Sequence, residues 1–313
     1  MPDRLLALRY HLALTVAVLA VSSSAALVRW ADAGAVSLAF WRTAGGAGVL
    51  LLTGLVVGGR DGDRRLGRRH VPLIVVAGGF LALHFAAWLA SLELTSVAAS
   101  VTLVTTTPLL IAGYRALTGR SPSARTWAGI VLAIAGTAVI TAGDLGDVGA
   151  GLTGDLLALL GAVAMTGYLL IGERLRAELS TVVYAAAVYG AAAVVLAPVA
   201  LVVDGGLGGY SRSTWLAIIG MILGPQLAGH TVLNLLLRPL GPVTVSLALL
   251  AESVGATLAV WAIFGEVPPV AAVIGGTMVL VALAVHLRGE AGASPGAPVG
   301  PSPVGGPPPP SGG

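Results

Sequence analysis

The chain has no cysteine and no lysine, and only 10 % of its 313 residues carry charge. Without cysteine there is no disulfide and no thiolate metal site, and the redox state of the compartment leaves no mark. So little charge cannot clothe a soluble domain, where about 25 % is usual. The net charge of +3 does not indicate nucleic acid. All 17 basic residues are arginines, nearly all of them in short segments between apolar runs, with no basic stripe to track a phosphate backbone. There is no GxxxxGK(S/T) phosphate loop, so ATP is not the direct energy source. HExxH is missing as well. His230 has only Asn234, a weak ligand, at helical spacing, so no metal site and no cofactor are expected.

What is abundant is apolar chain, at 56 % of residues. Hydropathy divides it into ten stretches near 12–30, 35–57, 71–91, 96–117, 126–142, 154–173, 181–203, 215–237, 243–264 and 269–287. Short linkers such as GDLGDVGAGLTGD and DGGLGGYSRS separate them. A bilayer core of roughly 30 Å needs about 20 apolar residues as helix, and lipid forces backbone groups to pair within each helix. The expected fold is an all-α membrane protein with ten transmembrane helices. Its 44 glycines and many alanines fit a GC-rich bacterial genome and a multi-pass protein of the cell membrane.

The opening segment has the basic start, apolar middle and small residues of a signal peptide. Its apolar run continues to Trp30, however, so it is read as the first span, after a cytoplasmic segment at 1–11. With the N-terminus inside, fourteen arginines fall in inner segments and two, Arg29 and Arg212, in outer ones. This places both termini in the cytoplasm. An offset of 145 to 146 residues brings the halves into register, laying AVSLAFWRTAGGAGVLLLTGLVVGG over TVVYAAAVYGAAAVVLAPVALVVDGG. The repeats are 12–142 and 154–287, five spans each. An odd number of spans inverts the second repeat, a plan found in secondary transporters with the substrate held near mid-membrane. Residues 289–313, rich in proline and glycine, are expected to form a disordered cytoplasmic tail.

VSLAFWRTAGGAGVLLL, GDLLALLGAVAMTGYLLIGERL and LALLAESVGATLAVWAIFGEVPPVAAVIGGTMVLVALAV resemble segments of the EamA-like transporters of the drug/metabolite transporter superfamily. The resemblance runs over roughly 12 to 288. Two features depart from the family pattern: Ser253 stands where proline is usual, and the turn after span four is the basic TGRSPSAR. The resemblance implies a ten-helix carrier for small metabolites, such as amino acids or related polar compounds, commonly moved outward.

Few polar side chains sit deep in the spans. Arg42 is the eighth residue of its span, about 10 Å from the outer end, where a long side chain can snorkel or line a cavity. Glu252, near mid-depth, is too short to reach a surface and must be protonated, paired or wet. One comes from each half, which suggests mutual pairing or a shared hydrated cavity. His84 and His230 are near-equivalent in the repeat alignment, as are Thr107 and Glu252. Pro108 and Pro225, the latter before Gln226, break helix hydrogen bonds mid-span. Trp41, Trp88, Tyr168 and Tyr184 are available as aromatic walls or interface anchors.

The candidate substrate or coupling residues are therefore Arg42, Glu252, His84, His230, Thr107, Gln226, Tyr168 and Trp41. The expected function is alternating-access export of a small polar metabolite, Arg42 holding an anionic group and Glu252 an amine or a coupling proton. The expected partners are that small molecule and the lipid bilayer, with no nucleic acid; the sequence favours neither a monomer nor a homodimer. Two other classes stay open: a membrane assembly or sensor protein, and an intramembrane enzyme, to which only HTVLN at 230–234 lends a motif.

Overall fold

The computed structural model describes residues 2–57, 66–95, 97–142, 151–265 and 267–292. Most of the proline-rich tail, the linker segments 58–65 and 143–150, and Glu266 lie outside the described residues. Among the described residues there are thirteen α-helices, one 3-10 turn and one π-helical stretch, and no strand. The helices are α1 (Pro2–Ser22), α2 (Ser24–Trp30), α3 (Ala35–Val57), α4 (Val71–Leu94), α5 (Val97–Val104), α6 (Thr107–Leu117) and α7 (Ala124–Ala142). There follow α8 (Leu152–Glu178), α9 (Thr181–Val203), α10 (Arg212–Met221), the π stretch (Ile222–Thr231), α11 (Val232–Leu249), α12 (Ala251–Phe264) and α13 (Val270–Gly292).

Two expected spans, 35–57 and 181–203, coincide with helices residue for residue. Others differ for local reasons. The helix expected over 96–117 is two helices, because Pro108 can only begin a new one. From Arg212 the chain stays helical to Leu249 except at Gly241, whose φ of 74° makes a sharp kink. The stretch 243–264 is itself divided at Leu250. Helix α13 runs four residues into the segment read as tail, to Gly292. With these breaks, seven helices among the described residues are long and apolar enough to cross a membrane, and Ala124–Ile140 is a shorter apolar one. Leu55, Val194, Val202 and Val273 are among the many large apolar side chains turned outward, as lipid contact requires.

The packing is organised between the two halves. Helix α3 lies on α9, α7 on α13, α4 on α8, and α1 on the π stretch. Exchanging the repeats maps the first two pairs onto themselves and the last two onto each other. At the α7–α13 crossing, glycine meets glycine: a Cβ on Gly136 would stand 2.6 Å from the Gly275 carbonyl oxygen, and one on Gly275 would strike the Gly136 oxygen. Small residues let the two backbones touch.

One capping detail breaks this symmetry. Ser180 caps its own helix, its Oγ accepting from Val183 N at 3.3 Å. The corresponding residue before α3 is Gly34, without a side chain. There Ser37 N donates instead to Oδ2 of Asp204, at the end of α9, at 2.6 Å.

Candidate functional site

The breaks in the helices build the centre of the molecule. In α5–α6 the Pro108 ring leaves the Val104 carbonyl without its helical donor. Thr107 Oγ1 supplies one at 3.0 Å, while Thr106 and Thr105 hydroxyls donate to Leu103 O and Thr102 O at 2.7 and 2.9 Å. Three consecutive threonines thus stabilise an interrupted helix inside an apolar bundle. The break at Leu250 is matched in register, and there Ser253 Oγ donates to Leu250 O at 2.7 Å. Glu252 sits in the first turn of α12, where the helix dipole favours a carboxylate. Near the other end of the sequence, Ser23 separates α1 from α2, and Ser22 Oγ donates to Val18 O at 2.7 Å and to the Glu252 carbonyl at 3.2 Å.

These interruptions surround a cavity of about 70 Å³, room for a few waters. Arg42, His84 and Thr107 line it from the first half, His230 and Glu252 from the second. Arg42 and Glu252 share the cavity without an ion pair within 4.0 Å. Arg42 is 3 % exposed, so it does not snorkel to a surface. Its Nε donates to Gln226 Oε1 at 2.9 Å and its Nη1 to Ser24 Oγ at 3.4 Å. Its Cζ lies 4.4 Å from the Phe85 ring centroid, a cation–π contact. Nη2 is buried with no hydrogen-bond partner among the described residues, as is Trp88 Nε1 in the same wall.

The two histidines come together through aromatic contacts. His84 stacks on Trp88 with centroids 6.0 Å apart, and Phe85 meets His230 edge-on at 5.6 Å. His84 Nδ1 is 2.9 Å from the Gly161 carbonyl, which can only accept, so Nδ1 carries the proton.

Gln226 lies in the π stretch after Pro225 and is fully buried. Tyr168 reaches it indirectly. Its hydroxyl donates to Asn234 Oδ1 at 2.6 Å, Asn234 Nδ2 donates to Tyr189 Oη at 3.1 Å, and Tyr189 Oη lies 3.2 Å from Thr231 Oγ1. Thr231 Oγ1 then donates to the Gln226 carbonyl at 3.0 Å. Tyr168 therefore braces the segment that holds Arg42 and is not itself among the cavity residues.

Trp41 belongs elsewhere. Its Nε1 donates to Leu207 O at 3.1 Å, and its ring packs on Trp215 at 5.0 Å, in a cluster between α3, α10 and the loop after α9. Arg176, counted in a cytoplasmic segment from the sequence, is buried: its Nε donates to Asn234 O at 3.1 Å and its Nη1 to Leu179 O. The sequence reading passed over Ser24, Phe85 and Ser246, all of which line the cavity. The run SSS inside an apolar span was the available signal for the first. Among the described residues no three of His, Asp and Glu cluster as metal ligands.

The EamA-like transporter family model matches this sequence twice, over residues 8–142 and 152–288. The boundary between the matches falls in the linker between α7 and α8. A solved crystal structure of a protein superposes with a TM-score of 0.75 at 22 % identity, covering 88 % of this chain and 96 % of the other. That likeness establishes the fold. No curated protein matches the sequence.

Proposed function

Because the chain belongs to the EamA-like transporter family, we propose that it is a secondary transporter moving a small polar metabolite outward across the cell membrane by alternating access. The observation that carries this reading is the cavity between the halves, lined by Arg42 from one repeat and Glu252 from the other. An unpaired guanidinium donor in an apolar bundle is costly unless a ligand or water meets it. An anionic group such as a carboxylate suits Arg42, and an amine or a coupling proton suits Glu252.

The architecture proposed is ten spans in two inverted five-helix repeats, both termini cytoplasmic. The helix pairing that survives exchange of the halves supports it. So do the matched breaks near Thr105 and Leu250, since discontinuous helices at the repeat interface are where carriers hold substrates. Opening the cavity to either side requires one repeat to rock against the other, because a volume of about 70 Å³ is too small for most metabolites.

The test is a resistance screen. Cells overproducing the protein are challenged with amino acids and their toxic analogues, and any resistance gained is re-measured in Arg42→Ala and Glu252→Gln. Both variants should lose it at near-normal expression. Resistance unchanged in both removes the site; no resistance to any compound counts against export.

A further inference from the structure

A second cavity, of about 630 Å³, opens where the end of α6, the start of α7, the Gly241 kink and the end of α13 meet. This is within the range of small-ligand pockets, roughly 300–1,000 Å³. Arg115, Arg120 and Arg125 line it, and no carboxylate does. Among the described residues, Arg120 and Arg125 enter no ion pair. Arg115 gives Nη2 to Glu173 at 2.6 Å, outside this cavity, and its Nε is buried with no hydrogen-bond partner among the described residues. The start of the 19-residue helix α7 also faces the cavity, through Ser123, Ala124 and Thr126. The first amides of a helix have no intrahelical acceptor and carry the positive end of its dipole.

We propose that this cavity is a binding site for a compact oxyanion, a phosphate group above all. Arg120 and Arg125, in no ion pair among the described residues, line a space without a carboxylate, and Arg115, tied to Glu173 by Nη2, adds a third guanidinium to its wall. A guanidinium fork matches two phosphate oxygens. The positive end of the α7 dipole adds to this field, with Thr126 N already capped by Ser123 Oγ at 3.2 Å. His286 and Thr244, joined at 3.0 Å, form the buried floor. The phosphate group can arrive as a soluble anion or as the headgroup of an anionic lipid, since basic pockets between membrane helices bind such headgroups. The site is separate from the central cavity: Arg115 is eight residues from Thr107 along α6, about 12 Å. It stands whether or not the central cavity carries substrate.

The test uses the purified full chain in neutral detergent, with thermal unfolding as the readout. One arm adds inorganic phosphate against chloride at equal ionic strength. The other compares bilayer discs of phosphatidylcholine with discs containing phosphatidylglycerol. Arg120→Gln/Arg125→Gln, at exposed positions, should keep the wild-type Tm without anion. Wild type should gain about 2–4 °C with a saturating anion, and the double variant should lose most of that gain. Arg120→Lys/Arg125→Lys, which keeps charge but not the fork, should bind several-fold more weakly. A gain with inorganic phosphate identifies a soluble ligand; a gain only with phosphatidylglycerol identifies a headgroup. No gain in either arm, or a gain that survives in the glutamine variant, overturns the site.

Discussion

Arg42 on α3 and Gln226 in the π stretch are joined across the two halves by a 2.9 Å bond from guanidinium Nε to amide Oε1. Both side chains are buried. A hydrogen bond to a charged group contributes about 1.5–3 kcal/mol. Gln226→Leu should therefore lower stability by that order and reduce flux, whereas Gln226→Glu should retain an acceptor for Arg42. Thermal unfolding in detergent measures the first effect. An unchanged Tm in the leucine variant would show that the bond does not hold the guanidinium.

Close approach at Gly46 keeps Gln226 in place. A Cβ there would stand 2.8 Å from Gln226 Cγ and 3.3 Å from Tyr189 Cδ2, whereas one on Gly48 meets nothing within 4 Å. Overpacking of this kind costs about 1–3 kcal/mol. Gly46→Ala should destabilise by that order and weaken transport, with Gly48→Ala close to wild type in both assays.

The threonine-supported break gives a third expectation. Thr107→Val keeps the side-chain shape but removes the donor to Val104 O. Leaving a fully buried carbonyl unpaired costs about 1–3 kcal/mol, and this part-buried one should cost towards the lower end. The double variant Thr107→Val/Pro108→Ala should recover much of the stability, because a helical N–H again faces that carbonyl. Recovery of stability without recovery of flux would show that the break itself is needed for transport.

Much of this was legible in the sequence. Hydropathy and the repeat offset found the bounds of α3 and α9, since both are uninterrupted apolar runs flanked by turn residues. Arg42, Glu252, His84, His230 and Thr107 stood out because polar groups are rare in such runs, and they share one cavity. Helix breaks were harder to see. Nothing apolar or polar marks Leu250, and the kink at Gly241 depends on a φ of 74° that only the backbone reveals. Trp41 and Tyr168 were placed by residue type alone, and an aromatic ring suits a wall, a brace or an interface equally. The burial of Arg176 left no mark in the sequence, since arginines near helix ends are normally solvated, whereas this one binds the carbonyls of Leu179 and Asn234.

Orientation can be settled directly in a chain with no cysteine. Ser121, in the loop between α6 and α7, and Ser213, in the first turn of α10, are both exposed positions for Ser121→Cys and Ser213→Cys. In intact cells an impermeant thiol reagent should label position 213 and spare position 121 until the membrane is opened. The reverse pattern would invert the proposed topology.

The capping of α3 by Asp204 has a consequence for how such a molecule would rest. Here the carboxylate that fastens the start of α3 has Gly58 as its counterpart in the repeat alignment. Among the described residues, the start of α9 is capped by its own Ser180. The carboxylate of Asp204 thus ties the start of a helix in one half to the end of a helix in the other, a fastening that any movement apart at that end must break.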